Sequence, residues 1–435
     1  MVAGDTIFAL SSGAPPAAVA VIRISGPAAG RVLASLCGDR SLPRPRQAAL
    51  RALHDSHTNV LLDRALVLWL PGPGTATGED LAELHLHGGR AVVRAVEAML
   101  GRQPGLRLAE RGEFTRRAFL NGRMDLAEAE GLSDLLFAET EAQRVAAMRM
   151  ASGHLSRHVE AWRHDVLRLS ALVEAELDFS DEDDVGEGRG DMIGGAIALL
   201  AGSIEAALAR PRAERLRDGV RVVLAGPPNS GKSTLLNALV QREAAIVSDI
   251  AGTTRDLIEV PVALDGVPFV FTDTAGLRED GAEVIEAIGI DRAHIAISGA
   301  DIVLWLGDEG SEPEHPRLWQ IEAQIDRPAV SRETKLAPRI RISAHSGEGI
   351  DGLIADLVVT ARTMLPADGD IALNARQHGL LSECAAALRG AEEQADLLLR
   401  AEGLRLARLS LDALLGRTHV EDMLDALFGA FCIGK

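Results

Sequence analysis

Residues 226–233 form a candidate phosphate-binding loop. They read GPPNSGKS, which fits the pattern GxxxxGK[ST]. An apolar stretch at 221–224 precedes the loop and a helical stretch at 234–239 follows it. In that order, backbone amides and a helix N-terminus face the phosphate groups. We expect Lys232 to reach the β- and γ-phosphates of a nucleotide and Ser233 to bind Mg²⁺.

Two further segments complete the pattern of a nucleoside triphosphatase. Residues 273–276 read DTAG at the end of the next apolar stretch, where an acidic residue supports Mg²⁺ and a backbone amide contacts the γ-phosphate. Residues 248–256 read SDIAGTTRD and lie between the two motifs. We expect a threonine of this loop to be the second Mg²⁺ ligand.

The base-reading segments favour guanine over adenine. After the apolar stretch 301–306, the best match to an Asn-Lys-x-Asp motif is AQID at 323–326, in which only Asp326 is kept. A carboxylate accepts hydrogen bonds from N1 and N2 of guanine, which adenine does not match. Ser343, Ala344 and His345 fit the short backbone motif that contacts guanine O6. The missing Asn and Lys predict weaker nucleotide binding.

Hydrolysis needs a group other than a glutamine after DTAG to orient the attacking water. That position is Leu277, which cannot orient water. Asn229 inside the phosphate loop and the long GTTRD loop suggest a second, monovalent cation beside the phosphates. Such a cation would neutralise the charge that develops during hydrolysis.

The elements around these motifs indicate several domains. Strand-like segments at 19–24, 65–70 and 81–87 and a helical one at 90–100 predict an α/β segment first. Helical composition follows from about 124 to 210, apart from an acidic, loop-like run at 178–191, and returns after 374. Between them, residues 216–362 alternate strands and helices and include a predicted hairpin with a type I′ turn at Asp265-Gly266.

Composition excludes several classes of protein. The 435 residues include 63 Asp+Glu and 45 Lys+Arg, so the net charge is −18, which argues against a uniformly basic nucleic-acid binder. Three distant cysteines do not make a disulfide scaffold. We expect no transmembrane helix, secretory signal or prenylation box, and hence a cytoplasmic protein. His85 and His87 share a strand face, but we expect a structural role because no third metal ligand is evident.

Taken together, the motifs resemble one family, the tRNA-modification GTPase MnmE (TrmE) family. The resemblance spans nearly the whole chain. The segments that carry it are DTIFAL, AVIRISGP, TGEDLAELHLHGG, RGEFTRRAFLNGRMDLAEAEGLSDLL, GPPNSGKSTLLNAL, AAIVSDIAGTTRD, DTAGLRE and the terminal FCIGK.

The resemblance implies a K⁺-stimulated GTPase whose G domains dimerise during hydrolysis. It places K⁺ at Asn229, Ser248, Ile250 and Thr253, and Mg²⁺ at Ser233 and Thr254. The water-orienting glutamate matches Glu286, with Glu283 as the alternative because the chain has one extra residue there. The predicted nucleotide-binding residues are Asn229, Ser230, Gly231, Lys232, Ser233, Thr234, Ser248, Asp249, Ile250, Ala251, Gly252, Thr253, Thr254, Asp273, Thr274, Ala275, Gly276, Asp326, Ser343, Ala344 and His345.

The resemblance also implies a tetrahydrofolate site in the N-terminal domain. A 5-formyl- or 5,10-methylene-tetrahydrofolate would contact Arg23, Glu83, Arg123 and Lys435, since a carboxylate pairs with the pterin edge and basic groups suit the glutamate tail. Cys432 is tied to the modification reaction. A homodimer, together with an FAD-dependent partner (MnmG, also called GidA) in a heterotetramer, would add an aminomethyl or carboxymethylaminomethyl group to C5 of the wobble uridine in certain tRNAs.

The predicted architecture is multidomain, α/β plus α. It has an N-terminal α/β folate-binding and dimerisation domain at 1–120, a helical domain from 121–215 and 363–435, and an inserted P-loop (Ras-like) GTPase domain at 216–362. One alternative is a GTP-regulated scaffold or switch without a part in the covalent chemistry. A second alternative is a GTPase that acts on ribosomes, but no basic tail supports it.

The net charge of each segment indicates where tRNA would contact this chain. Residues 1–120 carry 14 Lys+Arg and 10 Asp+Glu, a net of +4, while 121–215, 216–362 and 363–435 carry −9, −9 and −4. We therefore expect direct tRNA contact to be local, on the N-terminal domain, with the partner subunit supplying most of the phosphate binding.

Overall fold

A computed structural model describes residues 4–38, 41–178, 189–242, 259–273, 294–328, 338–367, 369–418 and 421–435. The chain divides into two compact units. Unit 1 comprises Met1–Ser133 and Asp412–Lys435, and unit 2 comprises Asp134–Leu411. The division into three domains stays a prediction.

A six-stranded sheet organises unit 1. Its strand order is β3-β4-β5-β2-β1-β6, with antiparallel neighbours except for the parallel pair β1 and β6. The three strands predicted here are confirmed. The strands are β1 (Thr6–Leu10), β2 (Val19–Ser25), β3 (Ala49–His54), β4 (Leu61–Leu70), β5 (Leu81–His87) and β6 (Leu106–Leu108).

Helices pack on this sheet because apolar side chains alternate along the strands. Val32 and Leu33 of one helix and Val93 and Val96 of another are buried in one cluster with Ile22 and the other inward-facing strand residues. Burial of this apolar area is the main source of stability. The helices of unit 1 are α1 (Ala29–Leu36), α2 (Arg90–Gly101), α3 (Glu113–Leu120), most of α4 (Leu126–Leu136) and, near the C-terminus, α13 (Glu421–Gly429).

The C-terminal segment joins the same unit through aromatic packing. Phe428 and Phe431 are buried against Phe119 and Leu126. Ile433 then forms a β-bridge with Arg111. A Cβ on Gly434, whose φ is +94°, would lie 2.1 Å from the Leu10 carbonyl oxygen, so only glycine fits beside β1. The terminal residues are therefore held against the unit.

Unit 2 begins with long helices, as predicted from composition. Two of its helices, α5 and α11, start with a capping box, formed by Thr140 with Gln143 and by Asn374 with Gln377. The helices are α5 (Glu141–Ala151), α6 (His154–Asp178), α7 (Arg189–Leu208), α8 (Glu214–Asp218), α9 (Lys232–Arg242), α10 (Ile350–Arg362), α11 (Ala375–Glu393) and α12 (Leu397–Leu414). Most of the acidic run at 178–191 lies outside the described residues.

The second sheet belongs to unit 2 and has the order β12-β11-β10-β7-β9-β8. All neighbours are parallel except the edge strand β8. The predicted hairpin is confirmed, since Asp265 and Gly266 have φ of +46° and +74°, as a type I′ turn requires. The strands are β7 (Val220–Ala225), β8 (Glu259–Leu264), β9 (Val267–Asp273), β10 (Ile302–Trp305), β11 (Leu318–Glu322) and β12 (Ile340–Arg341).

One described helix is long and apolar enough to cross a membrane by length and composition. The window Asp191–Leu208 has a mean hydropathy of 1.5. Of this window, 28% is buried in the structure. Here α7 packs along α11 and contacts α6. Its Glu205 forms a bidentate salt bridge with Arg389 of α11, in which Arg389 Nη2 lies 2.6 Å from Glu205 Oε2. We therefore describe α7 as a helix of the helical part of unit 2.

Candidate functional site

The phosphate loop lies at the carboxyl end of the central parallel strand β7. Gly226 and Gly231 have φ of +149° and +98°, and Asn229 has φ of +62°, so the backbone curls between β7 and α9. Lys232, the first residue of α9, is buried. Its Nζ donates to the carbonyl oxygens of Gly226 and Pro227 at 3.0 and 2.7 Å, which places the ammonium group inside the curl.

Ser233 and Asp273 meet at the same edge of the sheet. β9 runs parallel to β7 with Asp273 in register with Leu224, so the carboxylate is placed beside the start of α9. Ser233 Oγ donates to Asp273 Oδ2 at 2.5 Å, and Asp273 is buried. Hydroxyl and carboxylate oxygens are the ligands that Mg²⁺ prefers, so this pair fits the predicted magnesium site.

The remaining residues of the loop are placed by the same turn. Thr234 is exposed in the first turn of α9. The Oγ atom of Ser230 is buried and has no hydrogen-bond partner among the described residues. A Cβ on Gly231 would lie 3.2 Å from the side-chain nitrogen of Gln324, so this glycine allows a neighbouring loop to approach.

The predicted base-reading residues converge after β11 and β12. The amide of Ile325 donates to the carbonyl of Ile342 at 3.2 Å, which sets the two loops side by side. A hydrogen bond from the buried Ser343 is the main cause that holds the pKa of Asp326 below its ordinary value, and the charge of His345 acts in the same direction. Asp326 is therefore an ionised acceptor at neutral pH, beside the segment 343–345.

Sequence reasoning missed one residue of this site. Gln324 donates from Nε2 to the carbonyl oxygen of Asn229 at 3.1 Å, so it joins the base-side loop to the phosphate loop. By sequence alone, the AQID segment indicates only a motif that lacks Asn and Lys. The mismatch itself was the available signal, because Gln324 occupies the lysine position.

Several predicted residues lie outside the described part of the chain. They are Ser248, Asp249, Ile250, Ala251, Gly252, Thr253, Thr254, Thr274, Ala275, Gly276, Leu277, Glu283 and Glu286. The predicted K⁺ ligands beyond Asn229, the second Mg²⁺ ligand and the choice between the two glutamates therefore stay predictions.

Of the four predicted folate contacts, the structure pairs Arg23 with Glu83 directly. The two residues face each other on β2 and β5, and Arg23 donates from Nε and Nη2 to Glu83 Oε1 at 3.1 and 3.0 Å. Arg23 also lies 5.8 Å from the ring centroid of Phe114, and His85 contacts Glu83 Oε2 at 3.3 Å. The pair thus offers a half-buried carboxylate and a guanidinium, which suit the polar edge of a pterin.

Arg123 and Lys435 lie on other segments of unit 1. Arg123 donates from Nε to the carbonyl of Thr75 in the β4–β5 loop at 3.2 Å. Lys435 follows Gly434, which packs against Leu10 at the end of β1. Cys432 is exposed, and its carbonyl accepts from the Gly112 amide at 3.4 Å. The tail that carries Cys432 is therefore fixed at the N-terminus of α3.

A buried charge network supports α3 and was not predicted. Arg117 donates to Asp5 Oδ1 at 2.6 Å and to Glu113 Oε1 at 3.0 Å, and Arg107 binds both carboxylates. Burial by itself raises the pKa of Glu113, but the bonds from Arg107, the Glu110 amide and Arg117 outweigh it and hold that pKa below its usual range. The same arginines lower the pKa of Asp5 against its burial.

The histidines of β5 have acid partners. His87 Nδ1 lies 2.7 Å from Asp63 Oδ1. Within the described ranges, no group of three or more His, Cys, Asp or Glu side chains is placed to hold a metal ion. The structural role of His85 and His87 stays a prediction.

Comparison with known proteins covers the whole chain. The model of the MnmE helical domain matches residues 126–432, and that of the TrmE N-terminus, described as a GTP-binding protein, matches residues 6–123. The tRNA modification GTPase MnmE of Novosphingobium aromaticivorans is 59% identical over 99% of this chain and 100% of the relative. That of Erythrobacter litoralis is 61% identical over 99% and 100%.

Among solved structures, the G domain of the T. maritima FeoB iron transporter is 24% identical. It covers 33% of this chain and 98% of that chain, with a TM-score of 0.23, too low to support an argument. The predicted fold class, an N-terminal α/β part, a helical part and a P-loop GTPase part, is confirmed. With a family model over most of its length and full-length relatives at about 60% identity, the chain belongs to the MnmE family of tRNA modification GTPases.

Proposed function

We propose that the chain binds and hydrolyses GTP and takes part in the modification of tRNA. The observation that carries the proposal is the hydrogen bond between Ser233 Oγ and Asp273 Oδ2 beside the phosphate loop. It brings together the two side chains that a P-loop nucleotidase uses to hold Mg²⁺. The family membership supports the tRNA role.

The residues of the phosphate loop have distinct tasks in this proposal. Lys232, already directed into the loop, pairs with the β- and γ-phosphate oxygens of the nucleotide. Backbone amides of the loop and of the first turn of α9 donate to the same phosphates. Ser233 and Thr254 would hold Mg²⁺ with support from the Asp273 carboxylate, and the ion would neutralise charge on the phosphate oxygens.

A K⁺ ion would assist hydrolysis in place of an arginine finger. Asn229 is the predicted K⁺ ligand that the structure describes, and it is exposed in the phosphate loop with a left-handed backbone. Ser248, Ile250 and Thr253 would complete the ion's shell, and Glu286 or Glu283 would orient the attacking water.

The base is read as guanine by Asp326 and the segment 343–345. The carboxylate accepts from N1 and N2 of guanine, and the backbone of Ala344 donates to O6. Because Ala323 brings no polar side chain to the base, selectivity rests on fewer contacts than an Asn-Lys-x-Asp motif provides.

Unit 1 would bind the tetrahydrofolate one-carbon carrier, with Arg23, Glu83, Arg123 and Lys435 as its contacts. The hydrogen-bonded pair of Arg23 and Glu83 supports this assignment. The chain would act in the cytoplasm as a homodimer with the FAD-dependent subunit MnmG, and together they would modify C5 of the wobble uridine. GTP hydrolysis would drive a conformational cycle, and Cys432 would take part in the uridine chemistry.

The test is tRNA modification in cells that carry Cys432→Ser in the full chain. We expect modified wobble uridine to be lost while GTP turnover by the purified variant is unchanged. Normal modification would contradict a chemical role of the thiol and favour a GTP-regulated scaffold. Absence of GTP turnover in the unaltered protein would contradict the proposal as a whole.

A further inference from the structure

We propose that Gln324 is a positioning residue that couples the guanine-side loop to the phosphate loop through the carbonyl oxygen of Asn229. The inference rests on the nucleotide site proposed above. It assigns a task to a residue at a position where the sequence departs from Asn-Lys-x-Asp.

The contact is a directed hydrogen bond between two loops far apart in sequence. Gln324 Nε2 lies 3.1 Å from the Asn229 carbonyl oxygen, across 95 positions of the chain. The amide approaches over Gly231, where a Cβ would lie only 3.2 Å from the same nitrogen. A side chain at position 231 would therefore push the amide away from its acceptor.

Both ends of the bond lie in unusual backbone conformations. Gln324 has φ of +58° and Asn229 has φ of +62°, a region that non-glycine residues rarely adopt. Such conformations persist only where surrounding contacts fix them. At the Gln324 end, the Arg327 amide donates to its carbonyl and the Ile325 amide bonds to Ile342. The bond therefore transmits the position of a fixed turn to the phosphate loop.

The neighbours of Gln324 separate its task from base reading. The side chain of Ala323 packs against the apolar core of unit 2 and has no polar atom. Asp326 accepts a hydrogen bond from Ser343, which belongs to the guanine-reading segment 343–345. Gln324 instead bonds to the phosphate loop. We therefore expect the residue to affect binding of every nucleotide that shares the phosphates, whatever its base.

Substitution by methionine removes the donor while keeping the side-chain length. Three single variants of the full chain are titrated with GTP and with ITP, namely Gln324→Met, Gln324→Lys and Gln47→Met. The last is the control, because Gln47 is exposed. ITP lacks the 2-amino group that Asp326 would bind. We expect Q324M to raise the Kd about three- to tenfold for both nucleotides, the effect of one lost hydrogen bond. Q324K keeps a donor and restores the Kd, and Q47M matches the unaltered chain.

Other outcomes overturn the coupling. An unchanged Kd in Q324M shows that the bond does no positioning, and a change in the GTP to ITP ratio shows that Gln324 reads the base. If urea unfolding shows that Q324M is not folded, Q324K decides, since a loss of more than about tenfold despite its donor contradicts the inference. Failure of the unaltered chain to bind GTP would instead contradict the proposed function.

Discussion

Ser233 Oγ and Asp273 Oδ2 are 2.5 Å apart although 40 positions separate them in the chain. The parallel register of β7 and β9 creates this contact, because it brings the end of one strand beside the loop that leaves the other. Carboxyl ends of parallel strands are where open α/β sheets bind ligands. We therefore propose that the magnesium end of the GTP site lies at this pair.

Replacing Asp273 by asparagine tests that placement. The amide keeps the shape of the side chain but removes the charge that would support Mg²⁺. Since a hydrogen bond to a charged group contributes about 1.5–3 kcal/mol, we expect GTP turnover to fall about ten- to hundredfold. Turnover is measured against Mg²⁺ concentration.

The control for this substitution is Asp165→Asn on α6, which removes an exposed carboxylate away from the phosphate loop. We expect its turnover to equal that of the unaltered chain. Equal turnover of D273N at every Mg²⁺ concentration would rule out the assigned magnesium site.

Replacing Arg117 by alanine tests the buried charge network of unit 1. The Arg117 side chain is 6% exposed and bonds to Asp5, Glu79 and Glu113, so its loss leaves three carboxylates with less compensation. We expect the free energy of unfolding to fall by about 3–5 kcal/mol. Urea denaturation measures it, with the exposed Arg144→Ala as a control that has little effect.

The same network makes stability depend on pH. The pKa values of Asp5 and Glu113 are lowered on folding from ordinary values of 3.8 and 4.5. Their contribution is fully present above those ordinary values and is lost as the pH falls through the lower folded values. The unaltered chain should lose stability below about pH 5, and R117A should lose it less steeply. Parallel pH profiles would contradict this assignment.

Replacing Glu83 by glutamine tests the folate site. The carboxylate that pairs with Arg23 would accept the amidine-like edge of the pterin, and the amide cannot match that charge. We expect calorimetric titration with 5-formyl-tetrahydrofolate to show at least about tenfold weaker binding. Glu110→Gln, at an exposed carboxylate of the same unit, should bind normally. Equal affinity of the two variants would remove Glu83 from the site.

Replacing Asp326 by asparagine tests the base-reading assignment. Xanthine presents an oxygen where guanine has its 2-amino group, so an amide donor at 326 suits xanthine and a carboxylate suits guanine. We expect the variant to bind GTP more weakly and XTP more tightly than the unaltered chain does. Competition binding with GTP, XTP and ATP measures these affinities. If the variant and the unaltered chain show the same order of affinities, Asp326 does not read the base.

The sequence predicts local parts of the site well, because their geometry follows from neighbouring residues. Asp265-Gly266 favours a type I′ turn by its own backbone preferences, and the turn is observed. The glycines of GPPNSGKS likewise permit the observed curl between β7 and α9.

Contacts between distant segments could not be predicted in the same way. Arg117 and Asp5 are 112 positions apart, and their pairing depends on how α3 packs beside β1. The bond from Gln324 to Asn229 depends on the register of β11 with β10 and of β10 with β7. Ile433 pairs with Arg111 because Phe428 and Phe431 anchor the tail, which composition does not indicate.

We propose that a monovalent cation at the phosphate loop stimulates GTP hydrolysis by this chain. GTP turnover in K⁺ and in Na⁺ at equal ionic strength tests it most directly. We expect clearly faster turnover in K⁺, and loss of that advantage in Asn229→Ala. Equal rates in the two salts would contradict the potassium mechanism, and absence of turnover in both would contradict the assignment of the site.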